Sequence, residues 1–159
     1  MARNCKIHIK VGDASIYDAE VSLGLYLIDS DDTIIAPVKD YEVQVYPESA
    51  AVEIYPYTTK ATFDYKVTLC KFGDCSTINA SVNAFYDSLF DISSGVDLRM
   101  AKLVTIYNDW KGVQVSGYAK TSPSTGNYPL LVQQEKSAYS FDLILQVADP
   151  STMVAYNET

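Results

Sequence analysis

His8 is the only histidine in the chain, which removes most of the catalytic chemistry a protein of this size could carry. A nucleophile pair needs a serine or cysteine beside a histidine that a third group orients. His8 lies in Lys6-Ile-His-Ile-Lys-Val11, whose alternation has the period of a strand, so it reads as a structural or surface residue. A metal site built on histidine would stop at one ligand. The three cysteines, an odd number, argue against a disulfide framework. Cys70 and Cys75 bracket Lys-Phe-Gly-Asp. That spacing fits neither a redox pair nor half of a zinc site, and the two read as small residues flanking a turn.

Twenty Asp and Glu include enough carboxylates for a glycosidase pair. They fall mainly at turns and on polar strand faces, where solvation explains them. Asp29-Ser-Asp-Asp32 lacks the spaced ligands and terminal Glu of a calcium loop and reads as a solvated turn. Seven glycines make no phosphate-cradling pattern. The expectation is no enzyme, no cofactor and no metal.

Aromatic residues offer a different chemistry. Thirteen tyrosines supply apolar rings with polar tips, suited to strands that touch either a core or a neighbouring subunit. Trp110, beside a hairpin turn, either binds a sugar or partner subunit or caps the core.

Bulk properties narrow the field further. At 159 residues with 48% hydrophobic and 20% charged content, the chain is read as one globular domain able to bury an ordinary core. A net charge of −8 with only Arg3 and Arg99 as arginines repels phosphate backbones, so no nucleic acid is expected. No run of about 18 apolar residues predicts a membrane span. The first ten residues lack a signal-peptide core, so folding in the cytoplasm is expected.

The elements that must position these residues are mostly strands. Val21 to Ile28 is a continuous apolar run read as a second strand between two layers. Thr33 to Ala36 stops at Pro37, and Tyr41 to Tyr46 alternates as a half-buried strand. Val52 to Tyr55 is a short strand before Pro56. Phe63, Tyr65, Val67 and Leu69 make one face of a clean strand. From Ser76 the period changes, since Ile78, Val82, Phe85 and Leu89 make one face of a helix, with Asp74 or Ser76 as cap and Ser93-Ser94-Gly95 as stop. Leu103 to Tyr107 and Val113 to Tyr118 form a hairpin, with Asn108-Asp109 and Lys111-Gly112 competing for its turn. Thr121 to Asn127 is an exposed loop. Tyr139 to Val147 is the last strand, closed by Asp149-Pro150, and Tyr156 to Thr159 is a loose tail. The fold class is therefore mainly β (α+β), with β-sandwich or barrel-like antiparallel sheets and a single flanking helix at about 76–90.

One segment order resembles a known family. Pro37-Val-Lys-Asp-Tyr-Glu-Val43, then Phe63-Asp-Tyr-Lys-Val-Thr-Leu69, then the helix from Ile78 to Phe90 come first. Ile106-Tyr-Asn-Asp-Trp-Lys-Gly-Val-Gln-Val-Ser-Gly-Tyr118 and a closing strand ending in Asp149-Pro150 follow. The order and spacing, over about residues 33–150, are similar to the N-terminal ring-forming domain of siphophage distal tail proteins. The resemblance implies a virion structural protein of the tail. Its members form hexameric rings at the tail tip, joining the tail tube to the baseplate hub and receptor-binding parts. It also implies homo-oligomeric and tail-protein partners. Subunit contacts are then expected from Tyr41, Tyr55, Tyr57, Tyr107, Trp110 and Tyr118, at strand ends and turns. The alternative expectation is a carbohydrate-binding β-sandwich of a surface or adhesion assembly, using Trp110 and tyrosines to stack on sugar rings.

Overall fold

The computed structural model describes residues 5–48, 51–92, 99–120 and 137–156. The main sheet draws on strands from almost the whole chain: β1 (Ile7–Val11), β2 (Tyr17–Asp18), β3 (Leu25–Ser30), β6 (Phe63–Gly73), β9 (Leu103–Asn108), β10 (Val113–Lys120), β11 (Ser137–Val147) and β12 (Val154–Ala155). Their order is β2-β1-β9-β10-β11-β6-β3, with β12 also on β10, and every pairing is antiparallel. Two hairpins stand apart from it, β4 (Glu42–Tyr46) with β5 (Ala51–Tyr55), and β7 (Phe90–Ile92) with β8 (Arg99–Ala101). The mainly-β, antiparallel expectation holds.

Strand order shows how the sheet is shaped. The edge strands β2 and β3 are joined by α1 (Ala19–Leu23), only five residues long. Laid flat, six strand spacings of about 4.8 Å would separate those edges by roughly 29 Å. A five-residue helix rises only about 7.5 Å. The sheet must therefore curl until its edges face one another, and α1 lies at the resulting seam. Contacts across the interior agree. Asn108 of β9 donates to Ser30 Oγ of β3 at 2.6 Å and to the Tyr65 hydroxyl of β6 at 2.9 Å.

Alternation fills the inside of this open barrel. Ile7, Ile9 and Val11, Val104 and Ile106, Val113 and Val115, Tyr65, Val67 and Leu69, and Phe141, Leu143, Leu145 and Val147 all point inward and form one cluster. The second helix, α2 (Cys75–Ser88), adds Ile78, Val82 and Phe85, with Leu89 just beyond its end. That is the stripe its sequence spacing predicts. Phe85 meets Phe141 at 6.1 Å between ring centroids, and the Tyr86 hydroxyl donates to Asp142 O at 2.7 Å. A fourteen-residue helix is marginal alone in water, so this packing is what stabilises it.

Several expectations need correction. The run from Val21 to Ile28 is not one strand. Gly24, at φ 64°, ends α1 with its N–H on Glu20 O, and the strand starts after it. Asp18 caps α1, accepting from the N–H groups of Glu20 and Val21. Tyr26 and Ile28 on β3 are exposed rather than between layers. Asp29 and Ser30 extend β3 across a bulge at Ile28 instead of turning, and 33–36 forms no strand. α2 ends at Ser88 because Phe90 enters β7. Asp74 is its N-cap residue but makes no side-chain cap bond. Both turn positions of the β9–β10 hairpin are used. The turn spans residues 109–112, with Asn108 Oδ1 accepting from Lys111 N–H and Gly112 at φ 70°. Tyr156 is held by its N–H on Gly112 O. Ser93-Ser94-Gly95, 121–127 and 157–159 lie outside the described residues.

Candidate functional site

His8 sits on β1 with Nδ1 3.2 Å from Asp109 Oδ2 and Nε2 3.9 Å from Asp18 Oδ2. Both ring nitrogens face carboxylates, so neither is turned toward a serine or cysteine as a general base requires. Among the described residues no group of three or more His, Cys, Asp or Glu is arranged for a metal ion. Cys70 is buried, and its desolvation raises the thiol above its ordinary range, the opposite of a reactive thiolate.

The hairpin β4–β5 stands out instead. Every described side chain from Pro37 to Tyr57 is exposed. The segment from Tyr41 to Tyr46, expected to be half-buried, is therefore not covered by the described residues of its own chain. Among the described residues β4 and β5 pair only with each other. The ribbon is carried away from the body on a short ladder: a bridge between Val38 and Lys60, Lys39 N–H to Thr59 O at 2.8 Å, and Ala61 N–H to Pro37 O at 2.7 Å. The ten residues from Pro37 to Tyr46 reach at most about 30 Å at 3.3 Å each. That is comparable with the width of a body whose radius of gyration is about 15 Å.

This arm has two unlike faces. Directly opposed residues in an antiparallel pair share a face, so Val43 with Ile54 and Val45 with Val52 make one aliphatic surface. These four are 50%, 58%, 63% and 56% exposed, respectively. The other face carries Glu42, Gln44 and Glu53, with two tyrosines fixed on it. The Tyr46 hydroxyl donates to Glu53 Oε2 at 2.9 Å, and the Tyr55 hydroxyl to Gln44 Oε1 at 2.8 Å. From Asp40 to Tyr55 there are four carboxylates (Asp40, Glu42, Glu48 and Glu53) and no Lys or Arg.

Of the six contact candidates, three gather on this arm: Tyr41 (48% exposed), Tyr55 (38%) and Tyr57 (85%). The other three lie on the body. Tyr107 packs edge-on against Tyr156 at 5.1 Å. Trp110 is half-buried with Lys111 Nζ 4.1 Å over its ring, so that face of the indole is already occupied by a cation. Tyr118 is exposed on β10. Sequence reasoning missed the four aliphatic residues of the arm, because alternation reports a face that needs covering without saying what covers it. A signal was present in the run of carboxylates from Asp40 to Tyr55 without any basic residue.

A second surface feature lies at the seam. A groove of about 840 Å³ runs between α1 and α2, with Leu23, Leu25 and Phe85 among its apolar lining and Ser81 and Ala84 on the α2 side. Among the described residues Lys71 is its one charged lining residue. The Lys71 ammonium donates to Leu23 O at 2.6 Å, and among the described residues no carboxylate pairs with it. No protein-family model matches the chain, and no curated protein matches it in sequence.

Proposed function

We propose that this chain is a self-associating structural subunit, of the ring-forming kind found at the tip of a phage or prophage tail, where it joins the tail tube to the hub. The observation that carries the reading is the β4–β5 arm. An isolated two-stranded hairpin is marginal in water, and this one presents a dry aliphatic face to solvent. Among the described residues nothing covers it, which supports a covering surface supplied by another copy. The five-residue strands are well short of the 9–11 residues a membrane-crossing strand needs, which favours a protein surface. The mainly-β body with α2 at mid-chain fits the tail-protein resemblance but does not carry it.

Magnitudes favour a ring over a simple pair. Covering four aliphatic side chains already half exposed contributes roughly 3–6 kcal/mol. Association costs at least about 4 kcal/mol in lost freedom. One arm contact is thus marginal, whereas a closed ring in which each copy gives one arm and receives another gains from effective concentration. Contacts between two different patches close rings when the rotation permits.

Light scattering and negative-stain microscopy of the full chain over a wide concentration range test this. The expected outcome is a sharp passage from monomer to rings of defined size. A chain with residues 38–60 replaced by a short Gly-Ser turn should stay folded, since Pro37 and Ala61 are already hydrogen-bonded, and should remain monomeric. Monomer alone at every concentration, or equal assembly by the armless chain, would overturn the reading.

A further inference from the structure

We infer that the arm of one copy docks in the seam groove of the next, aliphatic face against Leu23 and Ala84, with the tip carboxylate of Glu48 beside Lys71. The inference rests on the self-association reading and adds the receiving site. Three observations select the groove. It lies where the curled sheet leaves the edges β2 and β3 unjoined, with Leu25 and Phe85 buried at its floor and Leu23 and Ala84 exposed at its rim. Val21 and Leu23 of α1 are 77% and 36% exposed, extending its apolar rim.

Charge is the second observation. In a chain of net charge −8, a groove whose one charged lining residue among those described is a lysine is complementary to the outer arm, Asp40 to Tyr55, which carries four carboxylates and no base. Charge-assisted contacts of this kind steer partners and fix register. Among the arm's carboxylates Glu48 is the one placed to reach it. Glu42 and Glu53 belong to the polar face, which turns outward once the aliphatic face docks, and Glu53 already accepts from Tyr46. Glu48 is exposed in the turn at the arm's end.

The third is asymmetry. Arm and groove are different patches, so each contact leaves a free arm on one side and a free groove on the other. That is a head-to-tail arrangement. Face-to-face pairing of two arms would leave the groove empty and Lys71 without a carboxylate.

Disulfide trapping tests this. In a Cys5→Ser, Cys75→Ser background, Val45→Cys and Ser81→Cys in the same chain should give a covalent ladder beyond dimer on oxidation. Mixing the two singly substituted chains should give cross-linked dimers absent from either alone. As a second reading, Lys71→Glu and Glu48→Lys should each weaken assembly by about tenfold, and the two together should restore it. Rings that form with no disulfide between positions 45 and 81 and no rescue by the charge exchange would overturn the docking site while leaving self-association standing. Covalent dimers from Val45→Cys alone would replace it with arm-to-arm pairing. A chain that never leaves the monomer would instead remove the parent reading.

Discussion

Asn108 donates from Nδ2 to the Tyr65 hydroxyl at 2.9 Å, joining β9 to β6 through the middle of the curled sheet. Asn108 is fully buried, and its polar atoms are used: Nδ2 also donates to Ser30 Oγ at 2.6 Å, while Oδ1 accepts from Lys111 N–H at 3.0 Å. A buried amide without partners is expensive. With these partners it fixes which strands face one another.

Removing either end of that link has a defined outcome. Tyr65→Phe deletes one hydroxyl and leaves Ser30 bonded to Asn108, so a loss of about 1 kcal/mol is expected. Asn108→Leu strands the Lys111 N–H and removes the bridge, with about 2–3 kcal/mol expected. Urea unfolding of both variants checks this. Changes of less than about 0.5 kcal/mol in both, the range of ordinary surface substitutions, would show that the cluster does not hold the fold.

Tyrosine burial predicts alkaline sensitivity. Burial pushes Tyr17 up to about 12 and raises Tyr65 and Tyr86, with nearby Tyr139 and Asp142 charges adding to the rise at Tyr86. In the unfolded chain these phenols keep their ordinary value of 10.0. Below that pH both states hold the proton and the contribution is complete. Above it the unfolded state ionises first, so stability falls as pH rises from 10 through about 12. Phenolate absorbance of the native protein should show a buried set of tyrosines, Tyr17, Tyr65 and Tyr86 among them, delayed until unfolding. All thirteen titrating together with the circular dichroism unchanged would contradict the burial.

Gly117 of β10 leaves no room for a side chain beside β11. A Cβ there would lie 2.6 Å from the Gln146 carbonyl oxygen and 3.2 Å from Leu145 Cβ. The obstruction includes backbone, which cannot swing aside. Gly117→Ala should therefore destabilise by about 2 kcal/mol or more, measured as a drop in Tm. A neutral result would mean the two strands part at that point without penalty.

Local pattern made some of this legible. The inward face of Tyr65, Val67 and Leu69 and the α2 stripe from Ile78 to Leu89 follow directly from periods of two and 3.6. The β9–β10 hairpin was readable from two strands around a polar turn. The break at Gly24 was not, because Val21 to Leu27 is apolar enough to suit either a helix or a strand. Nor was the curl of the sheet, which depends on pairings such as Ile9 with Ile106, far apart in sequence. The arm was legible as strands but not as an arm, since Val43 and Val52 look the same whether their own core or a neighbour buries them.

Strand order also governs how the chain reaches its native state during synthesis. Ile7 to Val11 takes its long partner from Leu103 to Asn108, so β1 must wait for about ninety further residues to leave the ribosome. Hairpin β9–β10 can zip locally, but the N-terminal edge closes only afterward, a long-range step that slows folding. Until then its apolar residues Ile7 and Ile9 stay uncovered on a nascent chain, open to capture by chaperones.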